Sequence, residues 1–207
     1  MADRFIITDF SFEDGEPVEL GQLRTGRAPK RVYNEGLQYS VRATNDIFLY
    51  WHGGILLTRR KVHPANGELW PLGGGKLRGY FPIDSLEQVV SNEGGNKLNL
   101  LRVAQIGSND CFFRTDSAGH GKGTHDSLKV YYAEAEGELK LNRTLNQDPH
   151  LVIPVNSSLT GKVPDDITLV SYVSKFRGTL HPFLQIYLDM LMPCIREQDF
   201  SGFKWIE

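Results

Sequence analysis

The sequence has little of several features that would assign a protein class at once. Its two cysteines, Cys111 and Cys194, are too far apart for the close pairs that bind zinc, and we expect both to be buried thiols in a reducing cytoplasm. A formal net charge of −2 gives no electrostatic case for nucleic acid or a membrane as the main partner. No apolar run approaches the roughly 20 residues of a membrane-spanning helix, and the first residues lack a signal peptide's apolar core. We therefore expect a cytoplasmic location.

What is present is the composition of an ordinary globular protein, with 40% hydrophobic and 23% charged residues in a chain of 207. This length suits one domain with additions. We expect an N-terminal extension at residues 1–37, a domain at residues 38–155, and a C-terminal segment at residues 156–207 that carries a helix.

Hydrophobic patterning predicts a strand-rich chain with few helices. Strands are predicted at residues 4–12, 38–42, 46–58, 98–105, 127–135 and 151–155. Gly53-Gly54 predicts a bulge or a close backbone approach inside the third of these strands, and residues 167–174 suit either a strand or a helix start. One helix is predicted from Pro82 to Gly94-Gly95. A second, at residues 181–195, is apolar nearly all round and should pack on the domain or against a second copy. The fold class is α+β with a mixed sheet.

Residues 69–75, with the sequence LWPLGGG, are the most informative stretch. A strand runs into three glycines, and the helix that follows places Glu93 near its last turn. Glycine has no side chain, so the backbone amides and carbonyls of Gly73 and Gly74 are open to a ligand or a metal.

From Gly74 to Gly95 the sequence resembles the Nudix box, G-x5-E-x7-R-E-U-x-E-E-x-G-U, where U is aliphatic. The matching positions are Gly74, Val90, Glu93 and Gly95, whereas the acids and the arginine of the box are replaced by Tyr80, Gln88, Val89 and Asn92. The approach to the glycines, Arg59-Arg60 and then P-A-x-G-x-x-W at residues 64–70, is similar to the GDP-mannose mannosyl hydrolase branch, which acts on nucleotide sugars. The resemblance implies a Nudix-like α/β/α sandwich.

The resemblance also implies a metal site. Mg²⁺ or Mn²⁺ would be held weakly by Glu93 and by a backbone carbonyl of Gly73 or Gly74, because the box has lost its other carboxylates. Asp116 and Asp126 are candidates to supply a further carboxylate. The alternative for Glu93 is a solvated acid near the end of a helix.

The remaining candidates would bind or activate a ligand. Arginine forks suit phosphate oxygens, and Arg60 is preferred over its alternatives. The long polar loop contains two histidines that suit a general base. The full set is Arg59, Arg60 and Arg78 for phosphates, Trp70 and Tyr80 for stacking on a base or sugar, and His120 and His125 for the base. Each has a simpler interpretation, as a surface charge, a core aromatic or a solvated loop residue, and His52 and His63 are expected to be structural or exposed.

Three functions are compatible with these residues. The favoured one is a Nudix-fold protein that binds a small nucleoside-diphosphate-linked ligand, with diverged hydrolase activity. The second is an active Mg²⁺-dependent nucleotide-sugar hydrolase that uses Glu93 and a loop histidine. The third is an interaction domain whose apolar C-terminal helix forms a homodimer.

Overall fold

A computed structural model of the chain describes residues 40–63, 65–76, 81–114 and 123–206. These residues form nine strands: β1 (Arg42–Trp51), β2 (Gly54–Arg60), β3 (Leu69–Trp70), β4 (Leu72–Gly75), β5 (Leu98–Phe113), β6 (Thr124–Gly137), β7 (Asn146–Ile153), β8 (Thr168–Ser171) and β9 (Trp205–Ile206). They also form three helices: α1 (Pro82–Gly94), α2 (Ser174–Arg177) and α3 (Pro182–Glu197). The strand predicted at residues 4–12 lies outside the described residues.

The strands form one mixed sheet, with the order β8-β7-β2-β1-β6-β5-β9. β1 is at its centre, where it pairs with β6 in parallel and with β2 and β4 in antiparallel directions. β3 adds to β2, and β7 pairs with β8 in parallel. The predicted α+β class with a mixed sheet and few helices is confirmed.

Helices cover both faces of the sheet, and each face has its own hydrophobic core. On one face, Leu86, Val89 and Val90 of α1 pack against a buried cluster that includes Ile47 and Leu49 of β1. On the other face α3 packs against residues that include Phe48 of β1. Consecutive side chains of a strand point to opposite faces, so β1 supplies both cores. The apolar C-terminal helix thus buries its side chains on this sheet. The division of the chain at residues 37 and 155 stays a prediction.

The strand predicted at residues 46–58 is wrong, because the chain reverses there. β1 and β2 form a hairpin in which Trp51 pairs with Gly54 across a two-residue turn. Both turn residues have positive φ, 47° at His52 and 91° at Gly53. Turns of this kind match the right-handed twist of the paired strands. Gly53 therefore lies in a turn and Gly54 begins β2, so the pair makes no bulge, whereas the alternative of a close backbone approach agrees with the crowding at both glycines.

Other boundaries also differ from the predictions. Pro71 interrupts the strand before the glycines, because proline has no N–H to donate to a neighbouring strand, and β3 and β4 result. Long-range pairing extends β5 to Phe113 and β6 back to Thr124. β7 covers residues 146–153 in place of 151–155, and residues 167–174 hold both β8 and the first residue of α2. Cys111 is buried as predicted, whereas Cys194 is half-buried. Within the described ranges, no helix is both long and apolar enough to cross a membrane.

Candidate functional site

Two clefts open beside the glycines of β4. The arginine cleft is lined by Arg42, Thr44, Asp46, Arg60, Ala65, Trp70, Gly74, Gly75, Phe113, Asp126 and Leu128. The glycine cleft is lined by Gly73, Gly74, Gly75, Ser85, Gln88, Val89, Asn92, Glu93 and Leu145. Antiparallel pairing of β4 with β1 sets Gly73 opposite Asp46 and Gly74 opposite Asn45. Asn45 donates a hydrogen bond to Ser85 of α1, so it faces α1, and Asp46 faces the other side.

Asp46 is a buried carboxyl group in the arginine cleft, with 3% of its surface exposed. Its Oδ2 accepts a hydrogen bond of 2.9 Å from Nε1 of Trp70. Burial raises the pKa of Asp46 to about 7, and the nearby negative charges of Glu93 and Asp126 act in the same direction. Arg60 and the indole hydrogen bond oppose the rise without cancelling it. The proton of Asp46 is therefore exchanged near neutral pH.

The cations of the arginine cleft come from two strands. Arg42 of β1 forms a two-pronged ion pair with Asp126, its neighbour on β6. Arg60, at the end of β2, has a buried Nε–H with no hydrogen-bond acceptor among the described residues. The buried hydroxyl of Thr44 also lacks a partner there. Buried donors of this kind are expensive to leave unpaired, so the cleft is prepared for a ligand with acceptor oxygens.

Glu93 forms the centre of a buried polar network beside the glycine cleft. Its Oε2 accepts hydrogen bonds from the backbone N–H of Gly73 at 3.3 Å and from Nδ2 of Asn146 at 3.1 Å. Asn146 is held in turn by Thr58, whose hydroxyl donates to Oδ1 at 2.9 Å. Only 7% of the surface of Glu93 is exposed, so the alternative of a solvated acid is wrong.

The residues around Glu93 do not fit a magnesium site. Mg²⁺ requires several oxygen ligands, but Gly73 presents its N–H to the carboxylate instead of its carbonyl. Val89 stands one turn before Glu93 in α1, and its methyl group packs against Gly74. No group of three His, Cys, Asp or Glu side chains suited to a metal occurs among the described residues. The metal stays a prediction of the resemblance.

Comparisons with known proteins found similar solved structures, whereas no protein-family model and no curated protein matches the chain. A MutT Nudix hydrolase from Burkholderia pseudomallei is 21% identical, with a TM-score of 0.42 over 53% of this chain and 81% of that one. A MutT protein from Methanosarcina mazei Go1 is 13% identical, with a TM-score of 0.48 over 72% and 91%. A Nudix hydrolase from Nitrosomonas europaea is 16% identical, with a TM-score of 0.40 over 51% and 68%.

The structural neighbours are Nudix hydrolases. All three TM-scores lie below 0.5, so the likeness carries no argument about the site. The fold of this chain is defined by its own strand order, its strand register and its two helical layers.

The structure divides the residues of the predicted Nudix site between the two clefts. Arg60 and Trp70 line the arginine cleft, whereas Glu93 and Gly73 line the glycine cleft, and Gly74 lines both. The Trp70 ring is 2% exposed and stacks on Phe183 of α3 with ring centroids 5.1 Å apart, which makes it part of a core.

Arg59 and His125 line neither cleft, whereas Asp126 lines one of them. Arg59 donates to the carbonyl of Gly67 and pairs with Asp148. His125 stacks on Phe112 with ring centroids 4.2 Å apart, and its Nε2 is 3.5 Å from Oδ1 of Asp110. Asp126 lines the arginine cleft, where it pairs with Arg42. Arg78, Tyr80, Asp116 and His120 lie outside the described residues. The roles assigned to these residues stay predictions.

Sequence reasoning missed Asp46 and Asn146. The run Thr44-Asn45-Asp46 places three polar residues directly before the apolar part of a strand, and this was the available signal for a buried polar group. No comparable signal marks Asn146, because its importance comes from Glu93, which is 53 positions away.

Proposed function

We infer that this chain is a Nudix-fold protein that binds a nucleoside-diphosphate-linked ligand in the arginine cleft, and that it has lost metal-dependent hydrolysis. The phosphates would lie against Gly74 and Gly75 and be gripped by Arg60. The neighbouring ring of Phe113 would contact the nucleoside or the sugar. The ligand class follows from the resemblance of residues 59–95 to the nucleotide-sugar branch.

The observation that carries the proposal is the state of Arg60. Its guanidinium lies in a cleft, its Nε–H is buried without an acceptor among the described residues, and its neighbours Gly74 and Gly75 have no side chains in the way. A guanidinium fork binds the oxygens of a phosphate group through two parallel hydrogen bonds. Arg42 is already paired with Asp126, whereas the Nε–H of Arg60 has no acceptor in the described part of the chain, so Arg60 is the arginine that we expect to receive an anion.

The loss of hydrolysis is inferred from the opposite side of β4. A Nudix box works through several carboxylates that hold metal ions against the pyrophosphate. In this chain Val89 and Asn92 stand beside Glu93 where such acids would be, and Glu93 accepts hydrogen bonds from Gly73 and Asn146. No step of a metal-dependent reaction can be derived from this arrangement.

The test is direct binding of a ligand panel by calorimetry, with GDP-mannose, UDP-glucose, ADP-ribose and ADP as probes. Arg60→Ala should weaken the best-bound probe about 10- to 100-fold, because charge-assisted hydrogen bonds contribute about 1.5–3 kcal/mol. Arg143→Ala is the matched control, since Arg143 is an exposed arginine that pairs with Asp166 and lines neither cleft. Equal losses in the two variants would contradict a specific role for Arg60.

Turnover is measured in the same samples with Mg²⁺ or Mn²⁺ added, by chromatography of the products. Binding without turnover supports the proposal. Hydrolysis that is abolished by Glu93→Gln would overturn it and establish the active nucleotide-sugar hydrolase instead. If none of the probes binds, the proposed ligand class is wrong.

A further inference from the structure

We propose that Glu93 is a structural clasp, which fixes Gly73 to Gly75 in their ligand-binding position, and that the protein binds its ligand without a divalent cation. The clasp itself is independent of the ligand, whereas its effect on binding rests on the function proposed above. Glu93 acts through the glycines, so it is a positioning residue.

The first argument is that Glu93 joins elements that are distant in sequence. Its carboxylate bridges Gly73 of β4 and Asn146 of β7, and Asn146 is anchored by Thr58 of β2. The backbone carbonyl of Glu93 also accepts a hydrogen bond of 2.8 Å from the N–H of Asn142. One residue at the end of α1 therefore ties the helix to the glycine strand and to the segment that leads into β7.

The second argument concerns the kind of group that faces the carboxylate. Gly73 and Asn146 each direct an N–H at Oε2, so their hydrogens face this oxygen where a cation would otherwise approach. The side of α1 that faces Gly74 presents a methyl group of Val89. A hard cation needs oxygen ligands, whereas these described neighbours offer N–H groups and a methyl group.

The third argument is that the clasp fixes the shared wall of the two clefts. Gly73 lies between two carboxylates, since its N–H is bonded to Glu93 and a side chain at its Cα would collide with Oδ1 of Asp46. Gly74 and Gly75 follow directly and line both clefts. The position of the ligand-binding backbone is therefore set from the α1 side.

A metal ligand and a clasp predict opposite results for Glu93→Met in metal-free protein. Removing a metal-binding carboxylate leaves the metal-free protein as stable or more stable, because it relieves an unbalanced charge. Removing a clasp leaves the N–H groups of Gly73 and Asn146 without their acceptor, which destabilises the protein whether or not metal is present. Glu93→Gln loses only the charge, because its one oxygen can still accept both hydrogen bonds.

The experiment is a melting series of the full chain in EDTA and in millimolar MgCl₂ or MnCl₂. Glu93→Met should lower the Tm by about 4–8 °C in every buffer, a shift typical of losing a charged hydrogen bond in a protein of this size, and Glu93→Gln should lower it less. Glu87→Met, the same change at an exposed position of α1, should leave the Tm unchanged. Added metal should not shift the Tm of the unmodified protein.

Two results would overturn the proposal. One is a rise in the Tm of the unmodified protein with Mg²⁺ or Mn²⁺ that Glu93→Gln removes. The other is a Glu93→Met protein that is as stable as the unmodified one in EDTA.

Positioning is separated from simple destabilisation by measuring ADP-ribose affinity in EDTA, well below the melting temperatures. Glu93→Met should weaken ADP-ribose binding about tenfold, because the glycines are no longer held in place. Val90→Ala removes buried methyl groups from the same helix and lowers the Tm without touching the clasp, so its affinity should be unchanged. Equal affinity losses in the two variants would overturn the positioning role. If ADP-ribose and the other probes fail to bind at all, the proposed function is wrong, and the EDTA melting series still decides the clasp.

Discussion

A single residue, Asp46, makes the stability of the folded protein depend on pH. Its carboxyl is buried between Trp70, Arg60 and Gly73, and burial raises its pKa from the ordinary 3.8 to about 7. In the unfolded chain the group ionises near pH 4. Between these values the folded protein holds a proton that the unfolded chain has lost, so stability falls as pH rises through this window.

Asp46→Asn should remove this dependence while keeping an oxygen to accept from Trp70. Relative to the unmodified protein, the variant should gain stability as pH rises from 5 to 7, by up to about 1.4 kcal/mol per unit, and the gain should level off above about pH 7. The measurement is a series of urea denaturation curves across this range. A difference that does not change with pH would show that Asp46 is already ionised in the folded protein.

At the scale of single residues, the sequence indicated where polar groups gather but not which of them meet. Glu93 meets the backbone of the glycines, as its predicted place near the last turn of the helix implied, while its role stays a prediction. Its partners were not predictable, because Asn146 reaches it only after β7 has docked beside β2. Arg59 and Arg60 are adjacent and chemically alike, and only the direction of each side chain separates a surface ion pair from a cleft cation.

The β1–β2 turn is the element whose geometry depends most on glycine. Gly53 has a φ of 91°, and a Cβ there would come within 2.9 Å of the carbonyl oxygen of Ser158. Gly67 has a similar φ of 86° but open space around it. Comparing substitutions at the two positions therefore separates the cost of backbone strain from the cost of a steric collision.

Gly67→Ala should lower the free energy of unfolding by about 1 kcal/mol, because an L-residue strains at positive φ. Gly53→Ala should cost about 2–3 kcal/mol, since the backbone of the segment at Ser158 must also move. Gly202→Ala, where neither condition applies, is the neutral control. Equal losses in the free energy of unfolding at Gly53 and Gly67, measured by urea denaturation, would show that the steric collision contributes nothing at Gly53.

Elements with local signals were predicted better than those that depend on pairing. The ends of α1 are set by Pro82 and by the glycines after it, and the predicted helix agrees with the observed one. β5 and β6 are longer than predicted because their last residues are polar and join the sheet only through each other, as Asp110 does with Ser127. A local sequence pattern carries no information about a partner strand that lies later in the chain.

The described part of the molecule has helices on both faces of its sheet, and α3 packs on the face that holds Trp70. Leu184→Ala should lower the free energy of unfolding by about 2–5 kcal/mol, because Leu184 is fully buried in the core of that face. Ile186→Ala, on the same helix but 67% exposed, should change it by less than about 0.5 kcal/mol. Similar losses at both positions in urea denaturation would mean that Ile186 is covered in solution. The homodimer predicted from this apolar helix stays a prediction, and that result would favour it.

The parallel pairing of β1 with β6 also decides the order in which the molecule is completed during synthesis. Arg42 and Asp126 are 84 positions apart, whereas the β1–β2 hairpin closes over two residues. Local hairpins form within about 1–10 µs, but closing a long loop loses more chain entropy and comes later. A chain emerging from the ribosome therefore carries its hairpin and glycines well before β6 arrives with Asp126. Until then the arginine cleft lacks one of its walls, so it is completed only when β6 has joined the sheet.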